Sequence, residues 1–299
     1  MRTETRNSYL EGIERVVSHV SRNLGFAQNQ SLDPAALAHV AGFSTFHFHR
    51  IFRGMMGESL GDFVRRLRLE KATYLLAEGK RVTDVAFECG FESHEAFTRA
   101  FRTAFGVPPS TFVRESRAFR RLPNPTVTHY DSILIGTPLR TFLGDKNMNV
   151  EIREIPGFHT LAMRHTGPYW QIGATFQRLA QWAAENGVPY HGSLAAYYDN
   201  PESTPAAELR SDACLVVAEG VVAPDDSVVA LDIKGGRYAV TTHNGPYSNL
   251  GDTWGRFFGE WFPSSGYTMG SEPSFELYLN SCDVTPPEDL RTEIYQQIV

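Results

Sequence analysis

Residues 82–112 read VTDVAFECGFESHEAFTRAFRTAFGVPPSTF, and their spacing decides the fold of the first half of the chain. Gly90, between Ala86 and Phe91, falls where a tight turn joining two short helices needs a positive φ. Phe97 and Phe101 then recur at helical spacing, so a second short helix follows the turn. Helix, glycine-containing turn and helix is the pattern of a helix-turn-helix DNA reader. The pattern also stands earlier in the chain. Ala38, Gly42 and Phe43 precede Ala86, Gly90 and Phe91 by 48 residues. Phe48, Arg50, Phe52, Arg53 and Gly57 precede Phe97, Arg99, Phe101, Arg102 and Gly106 by 49, and a one-residue insertion at Glu92-Ser93 accounts for the difference.

Outward from the two units, Tyr9, Leu10, Ile13, Val16, Val17, Val20 and Leu24 space an amphipathic opening helix over residues 6–24. Asp33-Pro34 supplies the N-cap and first residue of the short helix before Gly42, and Thr45 to Arg53 forms the helix after it. Leu60, Phe63, Val64, Leu67, Ala72, Leu75 and Leu76, with Ser59 as cap, mark one long helix between the units. Two readers on one rigid helix can enter successive major grooves, roughly 34 Å apart on one duplex face. A single chain then does what simpler repressors do as dimers, so a monomer or weak homodimer is expected. The charge is divided in the same way. Residues 1–121 hold 18 Lys+Arg against 13 Asp+Glu, whereas residues 122–299 hold 10 against 21. One end suits phosphates and the other repels them.

Residues 35–76 and 82–112 together resemble the DNA-binding domain of the AraC/XylS regulators. The GFES, F-x-R-x-F and GVPPS elements lie in that family's signature region, and the resemblance covers about residues 8–115. It implies base-reading positions in the second helix of each unit: Thr45, Phe46, His49, Arg50 and Arg53, then His94, Glu95, Thr98, Arg99 and Arg102. Phe48, Ile51, Phe52, Phe97 and Phe101 read as the core that fixes those helices. Arg50 and Arg99 either meet DNA or pair with a neighbouring acid or a helix end. His47, His49 and His94 either read DNA or lie on solvated surface. Glu95 can accept from a cytosine amino group but repels phosphate.

Residues 116–147 read as a connector with local structure around Ile133-Leu134-Ile135. Beyond it the chain duplicates again. His165, Gly167, Pro168 and Tyr169 recur 78 residues on as His243, Gly245, Pro246 and Tyr247, and Gly173, Thr175, Phe176 and Arg178 recur as Gly251, Thr253, Trp254 and Arg256. Each copy reads as a strand (159–165; 237–243), a Gly-Pro turn and an amphipathic helix ending near Trp182 or Trp261. Later strands are expected at 193–198, 213–218, 275–279 and 292–299. Pseudo-twofold symmetry would set two sheets face to face, with a cleft between helices and strands. The expected fold is therefore an all-α N-terminal domain with two helix-turn-helix units (1–115), a linker (116–147) and an α+β C-terminal domain (148–299). The last consists of two duplicated strand–helix–strand halves with antiparallel sheet.

HTGPY, HNGPY, GGRYAV and FELYLN make this half similar to the GyrI-like (gyrase-inhibitor-like) effector-binding domain, from about Met148 to Val299. The resemblance implies an aromatic cleft with a buried acid that receives amphipathic, often cationic, ligands, and Glu276 matches that acid. Strand alternation puts Glu276 and Tyr278 on one face. A half-buried carboxylate must be solvated, hydrogen-bonded or paired, and a ligand cation is one way to pair it. Rings beside it add about 0.5–2 kcal/mol each through cation–π attraction. Tyr169, Trp170, Tyr197, Tyr247, Trp254 and Tyr278 are the lining candidates. Trp254 and Phe176 also suit plain core, and Tyr169 and Tyr247 also suit closing the Gly-Pro turn.

The charged N-terminus lacks the apolar run of a signal peptide and no transmembrane run follows, so a cytoplasmic protein without membrane contact is expected. Cys89, Cys214 and Cys282 are far apart and form no CxxC pair, which speaks against a disulfide framework or a cysteine-rich zinc site. The DNA-repair alkyltransferases fused to some AraC-type domains need a cysteine cluster and a Pro-Cys-His site, and neither stands here. No cofactor, metal or catalytic residue is expected. The reading is a DNA-binding transcription regulator whose second half senses a small, amphipathic or cationic molecule. Its expected partners are double-stranded DNA, the effector and RNA polymerase. Two alternatives remain: a GyrI-like hydrolase that uses Glu276 and Tyr278, and an effector half that serves as a protein-interaction module. These residues leave activation or repression open.

Overall fold

Side-chain oxygens of Asp33, Ser44, Ser59 and Ser93 accept the backbone N–H groups that open four helices of the first half. The computed structural model describes residues 2–25, 32–115, 120–126, 128–134, 148–199, 201, 204–223 and 227–299, without the side chains of residues 2–7, 46, 113–115 and 134. It divides into two units, residues 6–143 and residues 1–5 with 144–299.

The helical unit runs α1 (Arg2–Asn23), α2 (Pro34–Ala41), α3 (Thr45–Met56), α4 (Leu60–Ala77), α5 (Val82–Glu88), α6 (His94–Phe105), α7 (Pro109–Glu115) and α8 (Tyr130–Leu134). The opening helix starts earlier than its apolar spacing, and α3 runs past Arg53 to Met56, where Gly57 ends it at φ +71°. Gly90 adopts φ +76°, and a Cβ there would stand 2.6 Å from the Leu24 carbonyl, so the second turn admits no other residue. Each unit is pinned by phenylalanines. Phe48 packs on Phe52, which meets Phe63 of α4, and Phe97 packs on Phe101, which meets Phe112 of α7, all of them fully buried. The expected core positions, Ile51 included, are core.

Part of the connector packs on α4. Glu70, 0% exposed, accepts from the backbone N–H of Leu122 at 2.9 Å, that of Tyr130 at 2.8 Å and Nδ1 of His129 at 2.9 Å. Arg66 donates to Glu70, to both oxygens of Glu58 and to the carbonyl of Thr128. Ile135, expected to be part of the connector's local structure, lies outside the described residues.

The second unit is β1 (Glu151–Thr166), α9 (Gly173–Glu185), β2 (Gly192–Tyr197), β3 (Arg210–Val216), β4 (Val229–Asn244), α10 (Leu250–Arg256), α11 (Phe262–Ser265), β5 (Ser274–Tyr278) and β6 (Arg291–Gln297). All strand pairs are antiparallel, and the order β1-β3-β2-β5-β6-β4 closes into one barrel. Two sheets face to face were expected, and the length of β1 and β4 overturns that. Their first parts pair with each other (Ile152 with Ala239, Thr160 with Leu231). Their last parts pair with β3 and β6 (His165 with Ser211, His243 with Thr292), which joins the two halves into a ring. Leu194, Cys214, Tyr238, Phe275 and Tyr295 pack on the inner face. Outside, Leu179, Trp182 and Ala183 of α9 cover Leu161, Ala195 and Ala213, while Phe257, Phe258 and Phe262 cover Ala239 and Ile294. No described helix is long and apolar enough to cross a membrane.

Ending the chain at residue 115 removes the Leu122, His129 and Tyr130 donors and leaves Glu70 buried against Arg66. Breaking a buried polar network of this kind costs on the order of 3–5 kcal/mol. A fragment 1–115 should therefore melt well below a fragment 1–134 in calorimetry, and equal Tm values would show that the docked connector adds nothing.

Candidate functional site

Glu276 lies in the middle of β5, 4% exposed, with both oxygens engaged. The Tyr197 hydroxyl donates to it at 2.7 Å, the Tyr278 hydroxyl at 3.0 Å and the Trp254 indole Nε1 at 2.6 Å. The donors come from β2, β5 and α10, so the carboxylate ties two strands to a helix. Burial, then the neighbouring Glu276 charge, pushes both tyrosine hydroxyls well above their ordinary range, so they remain donors. Edge-on ring pairs surround this group: Tyr169 with Tyr197 at 4.8 Å, Tyr247 with Tyr278 at 5.5 Å and Phe176 with Tyr278 at 5.6 Å.

The register explains the arrangement. Ala195 pairs with Glu276, Ser193 with Tyr278 and Tyr197 with Ser274, so the pseudo-twofold axis passes between Ala195 and Glu276. Tyr197 and Tyr278 are duplicates of one another, as are Tyr169 and Tyr247. Ala195 is the duplicate of Glu276, and its small side chain leaves the axis to one carboxylate. Sequence reasoning missed this residue, although SLAAY aligned with SFELY carries the signal. It also missed the two histidines that fix the Gly-Pro turns. His165 Nε2 donates to the Pro168 carbonyl at 3.1 Å while Nδ1 accepts from the Thr175 hydroxyl at 3.2 Å. His243 repeats this with Pro246 at 3.2 Å and Thr253 at 2.8 Å. Each ring clamps a turn to the start of the following helix and so aims Tyr169 or Tyr247.

Of the seven expected ligand residues, six gather here. Tyr169 also exchanges hydrogen bonds with the backbone of Asp199, which serves the turn as well as the site. Trp170 is the exception. It is 82% exposed and stands on a groove of about 530 Å³ lined by His165, Gln171, Thr175 and Arg178, apart from the Glu276 cluster. A three-residue 3₁₀ turn, Tyr169–Gln171, sends neighbouring side chains in different directions, so Tyr169 points in and Trp170 out. No described group of three His, Cys, Asp or Glu residues is arranged to hold a metal ion.

In the reader, Thr45 and Arg53 of α3 and Glu95, Arg99 and Arg102 of α6 are exposed, with Arg50, His94 and Thr98 half-buried. Glu95, Arg99 and Arg102 form one stripe at helical spacing, and Phe46, Arg50 and Arg53 are its duplicate; the Phe46 side chain lies outside the described residues. Glu95 is bonded to its own N–H and to the Ser93 hydroxyl, which holds its carboxyl below the usual range and ties it to the helix start. His49 requires a correction. It is 2% exposed and its ring packs 5.2 Å from Phe48, so it offers no edge to a base. His47 is also buried, with Nδ1 2.8 Å from the Ser44 hydroxyl, and neither ring is solvated surface.

Two family descriptions match this chain: "GyrI-like small molecule binding domain" over residues 148–299, just over half its length, and "Helix-turn-helix domain" over residues 37–115. A Salmonella arizonae protein named DNA gyrase inhibitor is 36% identical over 133 residues, which make up 43% of this chain and 82% of that protein. Among solved structures, the EcmrR chain in its DNA complex aligns at 15% identity with a TM-score of 0.45, covering 50% of this chain and 57% of that one. An AraC-type regulator from Chromobacterium violaceum is 26% identical with a TM-score of 0.33, covering 36% of this chain and 93% of its own.

Burial pushes the His49 ring down to about 4, against a smaller upward pull from Asp33. The unfolded chain titrates near the ordinary 6.5 and takes up the proton first on acidification. Stability from the neutral ring is therefore complete above about pH 6.5 and is lost as pH falls toward 4. Thermal melts over that window should fall less steeply for His49→Leu than for the parent. Parallel curves would mean that His49 is not held neutral by the fold.

Proposed function

The chain belongs to the GyrI-like small-molecule-binding family and carries an AraC-type helix-turn-helix domain, and from that premise we propose that it regulates transcription in response to an organic cation with aromatic faces. The Glu276 cluster carries this reading. A buried carboxylate flanked by duplicated tyrosines offers negative charge and ring surface at one point, and a cation gains from both. A general base needs a lone pair turned toward water. Glu276 instead gives its oxygens to three donors, which favours recognition over hydrolysis. The exposed arginines of α3 and α6 are the DNA-contacting groups, and the bound regulator acts on RNA polymerase at the promoter.

The relatives' name favours a second reading, in which the barrel acts on DNA gyrase as a protein-interaction module. A supercoiling assay separates the two. Ligand-independent inhibition of gyrase supports the second, whereas ligand-dependent operator affinity supports the first.

Glu276→Gln should fold. The amide oxygen can keep the Trp254 bond while its NH₂ donates to the tyrosine oxygens, which accept as well as donate. Calorimetry with benzyltrimethylammonium and its neutral isostere neopentylbenzene should show the variant losing affinity for the cation alone. Equal losses for both would mean that Glu276 shapes the site without selecting charge.

Arg99→Ala, on the exposed stripe of α6, should weaken operator binding by about 1–3 kcal/mol if the guanidinium grips a guanine edge. An equal loss on random DNA in the same titration would assign it to phosphate instead. Arg50→Ala tests the duplicate position in the same way.

A further inference from the structure

The helices that follow the two Gly-Pro turns are duplicates that have diverged in one respect. Thr175, Phe176 and Arg178 lie 78 residues before Thr253, Trp254 and Arg256. Trp182 and Gly187 lie 79 residues before Trp261 and Gly266, and both glycines adopt positive φ (+63° and +87°). One residue has therefore entered the second copy between Arg256 and Trp261. The helix is π-helical over Phe257–Trp261, within that interval. A single inserted residue is commonly absorbed in this way, and such turns mark places where a helix gives.

The consequence falls on Glu276. In the first copy α9 is one continuous helix of 13 residues, and it carries Phe176 as an apolar wall of the site. In the second copy the corresponding α10 has 7 residues and ends at the π turn. It carries Trp254, whose indole covers one oxygen of Glu276. Gly255 stands in α10 where α9 has the exposed Gln177, and glycine weakens a helix interior by about 1 kcal/mol. The side of the site that must let go of the carboxylate is thus built on the weaker helix.

We propose that Trp254 is the gate of the site and Phe257–Trp261 its hinge, so that α10 leaves Glu276 to admit the ligand while α9 stays in place. This rests on the ligand-sensing reading above, but it makes a claim that can be measured without any ligand. A Cβ at Gly255 meets nothing within 4 Å, so Gly255→Ala should stiffen α10 without a clash.

Amide hydrogen exchange on the full chain should be faster over residues 250–256 than over 173–185. Gly255→Ala should slow exchange in 250–256 about fivefold, the equivalent of about 1 kcal/mol of helix propensity. It should lower the apparent affinity for benzyltrimethylammonium by the same factor, since affinity scales with the open fraction. Gln177→Gly, the converse change in α9, should speed exchange there and leave affinity unchanged. Exchange over 250–256 as slow as over 173–185 would overturn the hinge, as would an affinity that follows Gln177→Gly. If the native chain binds no cation while the exchange pattern and its response to Gly255→Ala hold, the hinge stands and the ligand reading falls.

Discussion

A carboxylate removed from water needs donors, and the barrel meets that need for Glu276 with one group from each of three elements. Its position on the pseudo-twofold axis makes the requirement sharper. An acid in both copies would put two like charges side by side across the β2–β5 pair, so the duplicate has to be a residue such as Ala195. Once one copy bears the charge, the two halves cannot remain alike. The tyrosines stay duplicated because both donate to the same acceptor, whereas Phe176 and Trp254 part because only an indole can supply the third hydrogen bond.

The helical half uses the same chemistry for another end. Glu70 is buried on the helix that joins the two readers, and it is satisfied mainly by backbone and side-chain donors of the connector. The connector is thus held by hydrogen bonds to a charge, with Leu122 packed on the core of the second reader. Such contacts hold firmly in place and cost a great deal to break.

The sequence showed much of this because several features follow from single residues. Gly42 and Gly90 had to adopt positive φ, Asp33 and Ser59 had to cap, and strand alternation put Glu276 beside Tyr278. Barrel closure was not legible. Residues 151–156 carry three charges and a proline, and residues 234–236 are Lys-Gly-Gly, so neither reads as strand until β1 is paired with β4. His49 was misread because the family resemblance assigned it to the DNA-reading face. It shares a helix face with Phe52 and Met56, both fully buried, and helix phase decides its place. Trp254 was read as a ring only, and its N–H proved to matter as much, since donor geometry depends on a helix from elsewhere in the chain.

Every strand of the barrel has a partner on both sides. A sheet with an open edge can recruit an extended peptide or a second copy by adding a strand, which makes backbone pairing a means of association. That route is closed along β2, β3, β5 and β6, which are paired on both sides over most of their length. Any macromolecule that approaches those four strands must recognise side chains on helices and turns, so its selectivity is written in residue identity and can be changed one residue at a time without disturbing the backbone ladder that holds the barrel together.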